Sequence, residues 1–242
     1  MKVLVLLILA FISSGLHARQ ISMETTSWEP FYNDTLLNNG VIVEIVNRAF
    51  QRVGHDTAVR FVVWRRAMRN VKAGDVDVLV GAYYTKERDK NYRFSDPIFD
   101  IDIGFIALKS LNLTHYRKLD DLKGYSIGIG DDWSYGEEFD KAPLKKETVI
   151  SSTQNVKKLF RNRVDLIAMA IPVFHYERNM LKHNKNDEIV ILSPLITSQP
   201  LHIMVGRNLK DGVQIIEDFN RGLKAIKADG TYDHLLKKHG FK

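Results

Sequence analysis

DVLVGAYYTKER, residues 77–88, and the FSDP that follows at 94–97, decide how this chain is read. Val76 to Val80 is a short apolar run rich in β-branched residues, which suits a strand buried on both faces. Thr85-Lys86-Glu87-Arg88 then turns the chain, so Arg88 projects from the carboxyl end of that strand. A guanidinium carries a planar fork of donors that matches a carboxylate. In a cleft with little water such a pair is worth far more than on a surface. The spacing also allows a plainer reading, a surface arginine paired with Glu87 or Asp89.

Outward from this stretch the pattern is α/β. Ile21 to Thr25 alternates like a strand, and Trp28-Glu-Pro-Phe-Tyr-Asn-Asp is an aromatic loop. Ile42, Ile45, Val46, Ala49 and Val53 share one helical face, stopped by Gly54. Ala58 to Val63 reads as a strand, and Trp64 to Ala73 as a basic helix with Gly74 past its end. Strands separated by helices predict a parallel sheet with crossover helices. Ile101 to Leu108 is a further long strand. A second series follows, with strands at Tyr125–Ile129, Thr148–Ser151, Val164–Met169 and Ile189–Leu192. Helices are predicted at Ser134–Asp140, at Thr153–Phe160 and from Pro172, which suits a first helical turn. Leu201 to Val205 is a strand of the Ile101 type. Beyond Asp211 a helix carries Val213, Ile216, Phe219, Leu223 and Ile226 on one stripe. Asp229-Gly230 stops it, and Tyr232 to Lys238 is a final helix.

This order predicts two lobes joined by two crossover strands, with the C-terminal part returning to the first lobe. Lobe 1 is then residues 19–106 and 205–242, and lobe 2 is 107–204. Ligands of open α/β sheets sit at strand carboxyl ends and favour domain boundaries. The space between the lobes is the expected site.

Composition narrows the class. The chain has 242 residues, 45% of them apolar and 26% charged, enough apolar mass for real cores. Met1-Lys2, the apolar run Val3–Phe11 and the small and polar segment Ile12–Ala18 form an export signal cleaved after Ala18, residues 1–18. The run is too short to span a bilayer, which takes about 20 apolar residues. There is no cysteine, which removes disulfides, thiol chemistry and a lipid-modified cysteine. A periplasmic location fits best. The net charge of +6 is spread among acids and reads as a solvated surface, with no nucleic-acid partner. The 8 histidines make no metal-ligand pattern. Gly128-Ile-Gly130 is too little for a nucleotide site, and no Gly-x-Ser-x-Gly or P-loop occurs. No cofactor is implied.

Residues 77–88 with Phe94-Ser-Asp-Pro resemble the central motif of bacterial extracellular solute-binding proteins of family 3, the polar amino-acid-binding components of ABC importers. Trp28-Glu-Pro-Phe, Leu119-Asp-Asp-Leu-Lys-Gly, Asn162-Arg-Val-Asp and Phe219-Asn-Arg-Gly-Leu-Lys-Ala-Ile-Lys-Ala-Asp-Gly-Thr-Tyr are similar in the same order. The resemblance implies a type II periplasmic binding fold that closes on a ligand, in a monomer delivering solute to a membrane permease or reporting it to a sensor. It implies that Arg88 grips a ligand carboxylate, and that Gly81 and Tyr83 touch the ligand. It also implies that the helix start near Ser134 faces the same carboxylate, as backbone N–H groups there favour an anion. Alternatively, Asp132 or Ser134 only caps that helix.

One departure concerns the ligand. The acidic residue that commonly pairs with a ligand ammonium falls on Ala170, and the one near the end of the first strand on Thr25 or its neighbours. Glu24, Asp131, Asp132 or Glu137 substitutes, or the ligand is not a standard α-amino acid. Trp28, Phe31, Tyr83, Tyr84, Trp133 and Tyr135 are placed to sandwich a flat or apolar group or a cation. Phe31 and Tyr84 suit the core equally well, and Trp64 suits cleft or core. The expected function is capture of a small carboxylate-bearing solute rather than catalysis. The alternatives are a sensor or adaptor module, and an enzyme of the cyclohexadienyl-dehydratase kind on the same fold.

Overall fold

The computed structural model of the chain describes residues 19–131, 133–181 and 188–241. The expected export signal and Asp132 lie outside the described residues. The first strand, β1 (Gln20–Thr25), leads through the aromatic loop into α1 (Val41–Arg52). Then come β2 (Asp56–Phe61), α2 (Trp64–Ala73) and β3 (Val78–Tyr83). A one-turn helix α3 (Lys86–Asp89), a short β4 (Tyr92–Phe94) and a long β5 (Phe99–Leu108) follow. The second series is β6 (Ser126–Gly130), α4 (Glu137–Lys141), β7 (Lys145–Val149) and α5 (Ser152–Phe160). It continues with β8 (Leu166–Ala170), α6 (Ile171–Met180) and β9 (Ile189–Ile191). Last come β10 (Thr197–Gly206), α7 (Gly212–Ala228) and α8 (Thr231–Lys238). Among the described residues no helix is long and apolar enough to cross a membrane.

The strands lie in the order β2-β1-β3-β10-β5-β8-β6-β7, with β4 on β10 and β9 on β5. β1 runs parallel to β2 and β3, and β6 runs parallel to β7 and β8. Between these two parallel groups β5 and β10 lie antiparallel to each other. Each of the two changes partner halfway along. β10 uses Thr197–Leu201 against β5 and Leu201–Met204 against β3. β5 uses Phe99–Ile103 against β10 and Ile103–Ala107 against β8. The halves of the sheet are therefore joined through the middles of two long strands.

Each half is pinned by the same clasp. The Ser22 N–H and hydroxyl both donate to the Asp77 carboxylate, at 2.8 and 2.7 Å, and the Asp77 N–H donates to the Ser22 hydroxyl at 3.0 Å. In the other half Ser126 and Asp165 repeat this at 2.7, 2.7 and 3.0 Å. Each aspartate sits just before the strand that leads to the middle of the sheet, so the clasp fixes that strand against its parallel neighbour.

α1 is buried over its first turns and packs on α7. A Cβ on Gly222 would stand 1.9 Å from the Ala49 carbonyl oxygen, so only glycine permits this approach. The buried stripe of α7 is Ile215, Phe219, Leu223 and Ile226. Val213, expected in that stripe, is exposed, because it sits about 200° around the helix from Ile215. The α1 carboxylate of Glu44 is buried and receives Lys238 and His239, each at 2.7 Å. Burial acts to raise this carboxyl, but hydrogen bonds from Lys238, Asn38 and His239 prevail and bring it down to about 2. The strand expected at Thr148–Ser151 lies instead at Lys145–Val149. Its charged residues suit it because β7 is an outer strand of the sheet.

Candidate functional site

β3 does not alternate to its end. Val78 and Val80 pack in the core under α1, whereas Leu79 packs with Ala67 and Val71 of α2. Strict alternation would put Ala82 with Val80 and Tyr83 with Leu79. Instead Ala82 lies with Leu79, and Tyr83 packs on the α1 side. The pairing with β10 slips between His202 and Ile203, and Gly81 has φ +83°, so the strand carries a β-bulge there. A Cβ on Gly81 would lie 2.6 Å from the Tyr32 ring, and the Tyr32 hydroxyl donates to the Gly81 carbonyl at 3.1 Å. Gly81, expected to touch the ligand, is thus buried with its carbonyl engaged. What it contributes is the direction of Tyr83.

The turn after β3 sets Arg88. The Thr85 hydroxyl accepts the Arg88 N–H at 3.1 Å and caps α3. One guanidinium nitrogen donates to the Tyr83 carbonyl at 2.8 Å, and the group lies over the Trp64 ring, 5.5 Å from its centroid. Neither acidic neighbour in sequence holds it. Glu87 pairs with Lys90 at 2.6 Å, and Asp89 with Arg207 at 3.0 Å. Among the described residues no carboxylate pairs with Arg88. Burial pulls its pKa down from the usual arginine value, and the groups acting the other way are the phenols of Tyr92, Tyr32 and Tyr83. The structure therefore holds a half-buried cation whose donors are mostly unused.

Trp64 and Tyr83 lie against this cation, and Trp28 joins them through Tyr83. Trp28 is half-buried and meets the Tyr83 ring edge-on at 6.0 Å. Phe31 does not join them. The Phe31 and Tyr32 N–H groups both return to the Trp28 carbonyl, which folds the loop inward. The Phe31 ring is fully buried against Trp28, Phe99 and Phe241, at 4.8, 6.1 and 5.6 Å, so it is a core residue. Tyr84, which suited the core, is 50% exposed.

From the other half of the sheet comes the loop after β6. Trp133 is 38% exposed and covers Gly130, where a Cβ would meet the ring at 2.2 Å. The helix expected from Ser134 begins only at Glu137, because Gly136 takes φ +112°, a conformation that favours glycine and breaks the run. Asp140 accepts the Ser134 hydroxyl at 2.9 Å and the Tyr135 N–H at 3.0 Å. A carboxylate of the chain thus occupies the donors that were expected to face a ligand. Tyr135 is buried, and its oxygen accepts the Gly130 N–H at 2.6 Å. A cavity of about 330 Å³ lies beside this loop, lined by Asp131, Trp133, Ser134, Tyr135, Lys146 and Thr148 among others; Arg88 is not part of it.

The two halves meet near these residues. Lys86 of α3 acts on Glu137 of α4, so the turn after β3 faces the loop after β6. Burial pushes the Tyr83 phenol well above its usual range, and Tyr32 and Tyr135 add to this. Burial likewise raises Tyr176, with Glu29 of the aromatic loop contributing.

The candidates for an ammonium partner divide. Glu24 is 1% exposed and held by Arg60 at 2.9 Å and Asn70 at 3.0 Å. Glu137 is exposed and paired with Lys141 at 2.6 Å. Asp131 is exposed. Ala170 caps α6, and the Thr25 hydroxyl donates to the Val80 carbonyl at 2.9 Å. Tyr32, which orders Gly81, escaped the sequence reading, since nothing in its spacing marks it off from its loop neighbours.

Residues 21–242 match the family described as bacterial extracellular solute-binding proteins, family 3, and the chain belongs to that family. It is 21% identical over 226 residues to an L-cystine-binding protein of Bacillus subtilis (strain 168), covering 88% of this chain and 77% of that protein. It is 28% identical over 163 residues to ABC transporter arginine-binding protein 1 of Escherichia coli (strain K12), covering 65% of this chain and 63% of the relative. Among solved structures it is similar to the substrate binding protein of an amino acid ABC transporter. The TM-score is 0.70 at 22% identity, over 90% of this chain and 98% of that one. The fold is the two-lobed type II periplasmic binding fold.

Proposed function

We propose that this member of the family 3 solute-binding proteins is exported and captures a small carboxylate-bearing solute between its lobes for an ABC importer. Lobe 1 is residues 19–106 and 205–242, and lobe 2 is 107–204. The observation that carries the reading is Arg88, a half-buried guanidinium with no carboxylate partner among the described residues, laid on Trp64 just beyond the end of β3. An unpaired half-buried charge is costly, and a ligand carboxylate relieves that cost while using the fork of donors. Trp28, Trp64, Tyr83 and Trp133 shape the remainder of the site. Ligand contacts from both lobes shift an open–closed equilibrium toward closed, with β5 and β10 as the hinge.

The chain has 3 tryptophans, and all of them belong to this set. Intrinsic fluorescence therefore reports the site directly. Titration with amino acids and organic acids is expected to give a saturable change with the ligand recovered unchanged. Conversion of the bound compound to a product refutes a binding role.

A further inference from the structure

Two phenols stand out beyond Arg88. The Tyr83 hydroxyl is buried and has no hydrogen-bond partner among the described residues. A buried polar group left so is costly, and the Gly81 bulge is what aims Tyr83 this way. Tyr135, from the opposite half, uses its oxygen to accept the Gly130 N–H. No described acceptor takes the proton of either phenol. The two stand close enough for Tyr135 to act on the Tyr83 phenol, and Lys86 just beyond β3 acts likewise on Glu137.

The acceptors close by are already engaged. The Tyr83 carbonyl takes Arg88, the Gly81 carbonyl takes Tyr32, and the Val80 carbonyl takes Thr25. Glu24 is held by Arg60 and Asn70. Of the other described carboxylates on the facing loops, Glu29 takes the Asn33 amide, Asp140 takes the Ser134 hydroxyl and the Tyr135 N–H, and Asp131 and Glu137 are exposed. The buried part of the site thus offers protons from Arg88, Tyr83 and Tyr135, and its free lone pairs are those of a neutral phenol oxygen, not of a carboxylate.

Resting on the carboxylate reading above, we infer that Tyr83 and Tyr135 are a donor pair that recognises a second hydrogen-bond acceptor on the same solute. The solute is then an acid that also carries a carbonyl or a further carboxylate oxygen, in place of an ammonium. Arg88 holds the first carboxylate, Trp28 and Trp64 flank the carbon skeleton, and the phenols select the distal acceptor. An ammonium in that position meets the Arg88 cation on the same site and only neutral phenol oxygens, with no free buried carboxylate to balance its charge.

The test uses matched series on two skeletons: pentanoate, 4-oxopentanoate and 4-aminopentanoate, and benzoate, 3-acetylbenzoate and 3-(aminomethyl)benzoate. Affinities are read by tryptophan fluorescence and by thermal shift. The oxo member of a series is expected to bind about tenfold more tightly than the plain acid, the size of one buried hydrogen bond, and more tightly still than the amino member. Tyr83→Phe is expected to bring the oxo member down to the plain acid of the same series and, by deleting a buried hydroxyl with no described partner, to raise the ligand-free melting temperature. Tyr135→Phe is expected to act the same way on affinity; because it also frees the Gly130 N–H, Tyr83→Phe is the deciding variant. An amino member that binds best, an oxo member no better than the plain acid, or an advantage that survives Tyr83→Phe overturns the inference and leaves the Arg88 reading intact. Failure of every acid in both series refutes the carboxylate reading and this inference with it.

Discussion

Replacing Arg88 by alanine separates a ligand anchor from a structural arginine. In the ligand-free protein the side chain makes one bond to the Tyr83 carbonyl and lies on Trp64. Those are worth about 1 kcal/mol and about 0.5–1 kcal/mol. Against them stands the cost of keeping an unpaired charge half-buried, which burial makes evident in the lowered pKa of Arg88. The two sides are of similar size, so Arg88→Ala is expected to change unfolding free energy by no more than about 1 kcal/mol. That corresponds to roughly 2–4 °C in melting temperature for a chain of this length. Binding behaves differently. Removing one partner of a desolvated, hydrogen-bonded charge pair costs about 2–5 kcal/mol, roughly thirtyfold or more in affinity. Arg88→Lys keeps the charge without the planar fork and is expected to fall between. The assay is fluorescence titration with a carboxylate that binds the wild type, alongside urea unfolding of the ligand-free proteins. Undiminished affinity in Arg88→Ala refutes the reasoning. So does a large loss of ligand-free stability, which makes Arg88 a packing residue.

Gly81→Ala places a Cβ 2.6 Å from the Tyr32 ring at φ +83°, so a loss of roughly 2–4 kcal/mol is expected in urea unfolding; near-neutral behaviour denies the bulge. Gly130→Ala drives Trp133 off its seat and is expected to shift the emission maximum of the ligand-free protein, with an unchanged spectrum counting against that packing. Glu44 sets an acid limit. Its folded pKa, about 2, lies below the ordinary 4.5, so its stabilisation is fully present above pH 4.5 and is lost as pH falls toward 2. The amount is on the order of 3 kcal/mol. Glu44→Gln is expected to flatten the stability profile over that window, and parallel profiles for variant and wild type exclude the Glu44 clasp as the cause.

The order of strands and helices was readable because burial imposes periodicity. Val78–Val80 and Ile103–Ala107 are apolar runs because those stretches of strand are buried on both faces, and α2 ends at Gly74 as its sequence suggests. Arg88 stood out for its chemistry and its place after a strand. The other site residues were less secure. Phe31 and Trp28 look alike in sequence, yet one is core and the other stays half-buried beside Tyr83, since a turn of backbone bonds decides which ring folds inward. Ser134 looked like a helix start, but Asp140 reaches back to take its hydroxyl.

Periodicity, glycine placement and motif order, all properties of neighbours along the chain, thus determined the fold class and the family, and singled out one guanidinium as a candidate. Which way Tyr83 points, whether Arg88 meets a carboxylate of its own chain, and which hydroxyls lack partners were decided only by the folded sheet. Those outcomes depend on contacts between residues far apart in sequence: Gly81 with Tyr32, Tyr83 with the β10 strand, and Arg88 with Trp64. Local pattern carries no term for such pairs, and a single bulge reverses every side chain beyond it.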